Sequence, residues 1–328
     1  MTASTTRTAA AKTRTTKPSR IAALAAVAVA GSMLLTACGD QTNGGGGDSG
    51  SAKPSAAGNA APLFDKLPKK FQDAGKIKVG TDAAYAPMEF EEGGKIVGID
   101  PDIAAAMGKE LGVTFEFTSG TFDGLISSLN TGRQDLVMSA MSDTKARQEG
   151  LDDTGKKVGK GVDFVDYFTS GVSLLVKKGN PEKITTLDDL CGKKVAVQRG
   201  TIYEDTFKKQ AKTCDSGKKG KLTIEAFDTD AEAQTRVKSG GAVADLNDYP
   251  VAAHIAKTAG GGNDFEVAGG QLDAGPFGIA VAKGNPELRD AVKAALDAII
   301  KNGEYAKVLE KWDVKNSAVT EATVNGGK

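Results

Sequence analysis

Apolar positions along this chain switch repeatedly between a period of two and a period near 3.6, and their succession predicts an α/β protein. Lys76–Gly80 is a short strand, followed by the loop Thr81–Phe90 (TDAAYAPMEF) and a return hairpin from Gly94. A helix over Pro101–Leu111 comes next, with Asp100 placed to cap it and Pro101 suited to its first turn. Val113–Phe117 alternates as a second strand does. Leu125, Ile126 and Leu129 recur at helical spacing, Gly132 stops that helix, and Asp135–Met138 forms a short apolar strand. Further strands are expected at Phe168–Lys177, at Val195–Val197, over Lys221–Phe227 and over Ala274–Ala282, with a helix at Asp230–Lys238. Leu288, Val292, Leu296, Ile299 and Ile300 then mark amphipathic helices across Pro286–Lys311, packed on a sheet.

The first sixty residues follow neither period. Met1–Arg20 carries five cations and no acid, and an apolar run covers Ile21–Leu35, too short to span a bilayer comfortably and shaped like a secretory signal. Leu35-Thr36-Ala37-Cys38 resembles the bacterial lipoprotein box, which implies a lipidated Cys38 at the mature amino end. Each buried methylene of such an anchor contributes about 0.8 kcal/mol. Gln41–Ala61 is Gly, Ser, Ala and Asn, the composition of a flexible tether.

The chain has 42 basic and 42 acidic residues; without the five leader cations, 37 face 42, so the mature surface is mildly acidic. That gives no reason to expect nucleic acid as a partner. Beyond the leader two cysteines remain, Cys191 and Cys214, 23 positions apart, and export predicts a disulfide between them. On the chain-entropy model such a loop contributes roughly 3 kcal/mol. A two-thiol metal site is the rival, but the only histidine, His254, lies in a helical run, and no metal or cofactor is expected.

Candidate chemistry gathers at two strand ends. Small residues from Ser139 through Ala140 to Ser142 follow a strand and leave backbone groups open to a ligand, and Arg147 sits just past them. Open α/β sheets bind ligands at the carboxyl ends of their strands. Gln198-Arg199-Gly200-Thr201 opens a helix after another strand, and a helix start attracts anions. Thr201 reads equally as a plain N-cap, and no Walker pattern is present to favour phosphate.

Taken in order, VGIDPDIAAAMGKELGV (Val97–Val113), the strand and turn before Thr144-x-x-Arg147, and the closing Gly303-Glu-Tyr305 and Trp312 resemble the family 3 extracellular solute-binding proteins, the amino-acid receptors of ABC importers. The likeness covers roughly Lys76–Asp313. It implies a two-lobed periplasmic-binding-protein-like fold of type II, with two mixed-sheet α/β lobes joined by a two-strand hinge. The boundaries would be a lipoprotein signal at 1–37, a tether at 38–62, lobe I at 63–171, lobe II at 172–275, and a return to lobe I at 276–328. Gly171 and Gly275-Pro276 would give the hinge its freedom.

The resemblance also implies roles. Thr144 and Arg147, with the Ser139–Ser142 turn, would hold the ligand carboxylate, and Gly200 and Thr201 would face them from the other lobe. Asp82 and Tyr85 would meet the ligand side chain, with Phe122 closing its other face, so that the two rings sandwich it. Asp248 is favoured to grip the ammonium, with Asp245 as the alternative because Val243 stands where relatives have an acid. Two departures stand out. Gln148–Asp163 is longer than usual and reads as an exposed loop. Asp143 introduces an acid beside the carboxylate site, to pair with Arg147, to meet a cationic side chain or to cap the helix.

The function implied is capture of an amino acid, polar or basic, by hinge closure, and delivery to the permease subunits of an ABC importer. The protein would be monomeric, extracytoplasmic and lipid-anchored, with no enzymatic activity. The rivals are an enzyme on the same fold, a prephenate-type dehydratase or a cell-wall lyase, and a sensor subunit that presents the closed lobes to a receptor.

Overall fold

The computed structural model describes residues 61–152 and 154–328. The leader, Cys38 and nearly all of the tether therefore lie outside the described residues. Lobe I begins with helix α1 (Lys69–Ala74) and strand β1 (Lys76–Thr81), then a small antiparallel ribbon of β2 (Ala84–Tyr85), β3 (Glu89–Glu92) and β4 (Lys95–Val97). It continues through α2 (Ile99–Leu111), β5 (Thr114–Ser119), α3 (Leu125–Asn130), β6 (Leu136–Val137) and α4 (Lys145–Glu149). Strand β7 (Val162–Lys177) leads to lobe II, built from β8 (Lys194–Gln198), α5 (Ile202–Ser216), β9 (Thr223–Phe227), α6 (Asp230–Lys238), β10 (Ala244–Asp248) and α7 (Tyr249–Thr258). The chain returns along β11 (Phe265–Ala282) and ends in α8 (Pro286–Asn302), α9 (Glu304–Lys311) and β12 (Thr323–Val324).

The strands form one mixed nine-stranded sheet in the order β5-β1-β6-β11-β7-β10-β8-β9, with β12 also against β7. β1 is parallel to β5 and β6, and β8 to β9, whereas β7 and β11 run antiparallel to each other. These two long strands belong to both lobes. β11 pairs Phe265–Ala268 with the lobe II end of β7, and Gly275–Ala282 with its lobe I end. Between them the register slips from Ala268 to Leu272 and again to Gly275, and a third slip follows Phe277 within the lobe I part. Bulges of this kind interrupt the ladder and let a strand bend, which makes this stretch the hinge.

The strand at Phe168–Lys177 is longer than its sequence suggests, starting at Val162, because Asp163 and Asp166 break the apolar run while tertiary partners bond both. Asp163 accepts from Arg289 Nη1 at 3.0 Å and Asn325 Nδ2 at 3.1 Å, and Asp166 accepts from Thr323 Oγ1 and the Gly326 amide, each at 2.9 Å. The return strand likewise starts at Phe265, although Gly269 and Gly270 read locally as a loop. Helix α8 buries Leu288, Val292, Leu296 and Ile299 on one stripe, as their spacing predicts. Burying each such aliphatic side chain contributes about 1.5–3 kcal/mol. In lobe II, Val195, Val197, Phe207 and Leu246 form the core, and Cys191 and Cys214 are joined by the disulfide, their Cα atoms 5.4 Å apart.

Candidate functional site

The residues singled out in the sequence converge on the cleft where strand ends from both lobes meet. Asp82, Tyr85, Phe122, Ser139, Ala140, Ser142 and Arg147 line it from lobe I, and Thr201 and Asp248 from lobe II. Thr144 and Gly200 are not in the lining, but both bond Arg147, Thr144 through its hydroxyl and Gly200 through its carbonyl. Glu89, Gln198, Ile202 and Tyr203 complete the lining and were not anticipated. Tyr203 lies two residues after Thr201 on the same helix start, a signal that adjacency alone could have raised. Glu89 carried none, since it reads as one acid of a polar hairpin.

Each side chain is held from behind. Gly98 turns the chain with φ 137°, and a Cβ there would lie 2.2 Å from the Met88 carbonyl oxygen. This close approach lets the Ile99 and Asp100 amides donate to Pro87 O and Met88 O at 3.0 Å, fixing the loop that carries Asp82 and Tyr85. Asp100 therefore lies inside α2, whose N-cap is Gly98, rather than capping it. Its buried carboxylate accepts from the Ala140 amide at 3.0 Å and the Tyr167 hydroxyl at 2.7 Å, bracing the Ser139–Ser142 turn. The Ser139 hydroxyl accepts from the Asp82 amide at 2.9 Å and donates to Glu89 at 2.8 Å. Burial pushes the Glu89 carboxyl well above the usual carboxylate range, and neighbouring Asp100 pushes it further. The contact between the two acids favours the proton on Glu89, whose carboxyl is raised by Asp100 while its own hydrogen bond lowers that of Asp100.

Arg147 is set by its own short helix. Thr144 is the N-cap, its hydroxyl accepting from the Arg147 amide at 3.2 Å, and Gly150 ends the helix in the left-handed conformation. The guanidinium donates to Ser142 O at 2.8 Å and to Gly200 O, in the other lobe, at 3.1 Å. It lies 5.3 Å from the centre of the Phe122 ring. Burial lowers its pKa to about 10, so it stays cationic at neutral pH. The Phe122 face expected to meet a ligand is therefore covered by Arg147 itself, a cation–π contact. Asp143 does not cap the helix, whose N-cap is Thr144. Its carboxylate accepts from Gln148 Nε2 at 2.7 Å and the Gly327 amide at 2.8 Å.

Lobe II supplies the opposing groups. Thr201 caps α5, accepting from the Glu204 amide at 3.3 Å, and its hydroxyl donates to Gln198 O at 2.8 Å. The Gly200 amide is occupied by Glu204 Oε2 at 2.8 Å, which leaves its carbonyl as the group that faces Arg147. Asp248 accepts from the Tyr85 hydroxyl at 2.8 Å, and Tyr203 also hydrogen-bonds it. Burial raises its pKa to about 7 against the lowering effect of the two tyrosines. Asp82 is raised to about 6, chiefly by burial, and accepts from Gln198 Nε2 at 2.6 Å. Asp245 is turned into the lobe II core, where it meets Asn247 and Asp230.

Tyr85–Asp248, Gln198–Asp82 and Arg147–Gly200 all cross between the lobes, so the cleft is closed by the same groups that line it. Such a site offers a guanidinium, two desolvated carboxylates and aromatic walls. Among the described residues no cluster of His, Cys, Asp and Glu could hold a metal ion.

The sequence profile of the bacterial extracellular solute-binding proteins, family 3, matches residues 77–315. The chain is similar to the arginine-binding protein ArgT of Corynebacterium glutamicum, 28% identical over 261 residues that make up 79% of this chain and 81% of the relative. It is 30% identical to the L-cystine-binding protein TcyJ of Escherichia coli K12 over 248 residues, 75% of this chain and 85% of that protein. Among solved structures, an ancestral arginine-binding protein bound to arginine superposes with a TM-score of 0.64 at 38% identity, covering 73% of this chain and 98% of that one.

Proposed function

The chain belongs to the bacterial extracellular solute-binding proteins of family 3, the amino-acid-binding components of ABC importers, and on that premise we propose that its ligand is a cationic amino acid, arginine first. The observation that carries this reading is the charge inventory of the cleft. Arg147 is the one cation in the lining, against Asp82 and Asp248, with Glu89 held toward its neutral form by burial beside Asp100. A zwitterionic backbone satisfies Arg147 through its carboxylate, helped by Ser142 and Thr201, and Asp248 through its ammonium. Asp82 is then left without a charge partner, since Gln198 gives it only a neutral amide. A guanidinium or ammonium side chain supplies that charge, lying along the aromatic wall of Tyr85 and Tyr203.

Capture is a population shift. A ligand that touches both lobes only when the cleft is closed draws the hinge strands toward the closed form, and the permease receives it from that form. Clamping both ends of an amino acid is work for a receptor, and the relatives named above are binding proteins rather than enzymes.

The test is a thermal-shift screen of the amino acids, cystine included, followed by calorimetry of the best ligand across pH. Arginine is expected to give the largest shift; saturation at a hundred times Kd raises stability by about 2.7 kcal/mol. Buried Asp82 and Asp248 bind protons in the empty site near pH 6 and 7, and a cationic ligand expels them. Affinity should therefore fall as pH drops from 8 to 5, by up to about tenfold per unit for each group displaced. The empty protein has the opposite trend from these two groups. Their folded pKa values exceed the unfolded ones, so this contribution to stability is full below about pH 4 and fades as pH rises through 6 and 7. A larger shift with leucine or glutamate than with arginine, or affinity independent of pH, counts against a cationic ligand.

We also propose that Cys38 carries a lipid anchor, on the motif Leu35-Thr36-Ala37-Cys38 after a cationic and apolar leader. No described helix is long and apolar enough to cross a membrane. Cys38→Ala should shed the protein from cells or leave the leader uncleaved. A variant that matures and stays on membranes after a high-salt wash refutes the anchor.

A further inference from the structure

The family match ends at residue 315, yet one of the most heavily bonded segments in lobe I lies beyond it. Thr323–Val324 pairs antiparallel with Val165–Asp166 of β7. Asn325 accepts from the Phe164 amide at 2.8 Å through its side chain and donates its own amide to Phe164 O at 3.1 Å. From there the segment leaves the sheet and crosses to the loop that carries the guanidinium. The Gly327 amide donates to Asp143 at 2.8 Å, Gln148 Nε2 donates to Gly327 O at 3.3 Å, and the Lys145 amide donates to Lys328 O at 3.3 Å. Gly327 is buried so tightly that a Cβ would lie 2.1 Å from Asp143 O.

Helix α4 needs this support. It has only five residues, and a helix of that length does not form unaided in water. The buried Gln148 amide and the buried Asp143 carboxylate pair with each other at 2.7 Å, and each takes a second bond from outside the loop, to Gly327 O and from the Gly327 amide. Asp143 also donates its amide to Pro276 O at 2.9 Å, where β11 crosses the hinge. Asp143 thus joins three elements: its carboxylate ties the Arg147 loop to the segment 323–328, and its backbone amide ties that loop to the hinge strand.

We infer that Thr323–Lys328 is a strap that positions Arg147: it holds the Ser142–Glu149 loop in the geometry that receives a ligand carboxylate. Asp143 and Gln148 act through the loop and do not touch the ligand. The role assigned to Arg147 rests on the function proposed above, whereas the bracing of the loop does not. Removing the strap uncovers Asp143 and Gln148, frees α4 to fray, and lets the guanidinium swing away from the Ser142 carbonyl.

The test compares wild type with two variants, Gly327→Val and a deletion of residues 323–328 that keeps buried Ala322. Hydrogen exchange on the ligand-free proteins is expected to show faster exchange confined to residues 142–149 and the facing β7 amides, with lobe II unchanged. Calorimetry is expected to show arginine binding weakened at least tenfold, while agmatine, which is arginine without its carboxylate, binds within twofold of its wild-type value. A strap that merely stabilised the fold would weaken both ligands alike. Unchanged exchange at 142–149 in both variants overturns the strap whatever the ligand is. Equal losses for arginine and agmatine overturn the positioning role. A wild type that binds no arginine counts against the proposed ligand instead, and exchange alone then decides whether the strap braces the loop. Should Gly327→Val fail to fold, the deletion, which introduces no clash, gives the same readouts.

Discussion

Replacing Arg147 with alanine is expected to weaken amino-acid binding by about thirty-fold to several thousand-fold. The range corresponds to about 2–5 kcal/mol, the cost of truncating one member of a desolvated charge pair. The effect is large because a carboxylate in the closed cleft has lost its water and needs a partner with charge and several donors. Arg147 is already aimed: Ser142 O and Gly200 O hold its guanidinium edges, and Phe122 supports its face. Little conformational freedom is left to lose when the ligand arrives. Lysine keeps the charge but offers a point rather than a fork, so Arg147→Lys should also bind much more weakly. Calorimetry with the best ligand from the screen decides this. Binding by Arg147→Ala within about threefold of wild type, under ~0.7 kcal/mol, would show that the carboxylate sits elsewhere.

Asp248→Asn should cost a similar amount, for the matching reason at the ligand's ammonium. The carboxylate is buried between the Tyr85 and Tyr203 hydroxyls, and burial holds its pKa near 7 until a cation arrives. Asparagine preserves the shape and still accepts a hydroxyl hydrogen bond, so the empty fold should give an unchanged circular dichroism spectrum. It cannot supply the charge that an ammonium requires in a dry site, and the expected loss at pH 8 is again about thirty-fold or more. The same substitution removes the higher of the two proton-binding groups. The pH dependence of binding should therefore flatten near 7 and keep its component near 6 from Asp82. A variant with wild-type affinity, or one with an unaltered pH profile, would place the ammonium on another group.

Much of this site was legible in the sequence because its parts are local. A strand end, a turn of small residues and a Thr-x-x-Arg lie within a dozen positions, and helical spacing is set within a few turns. Helix α6 spans Asp230–Lys238, as its pattern predicts, and the closing helices begin at Pro286. The disulfide, too, needed only two cysteines and an exported chain.

Contacts between distant segments decided the rest. Asp100 looked like a helix cap and proved to be a brace, because Ala140 and Tyr167 reach it from 40 and 67 positions away. Asp143 looked like part of the ligand site, and its carboxylate proved to be bonded by the Gly327 amide, 184 positions on. Glu89 and Tyr203 join the cleft only because the hinge brings two strand ends together. The choice between Asp245 and Asp248 shows the division most plainly. Both lie on β10, and an odd separation along a strand puts two side chains on opposite faces. The sequence determined only that the two point to opposite faces of the strand. Only the packing of α6 and its buried Asp230 against one face of β10 assigned Asp245 to the core and left Asp248 for the cleft.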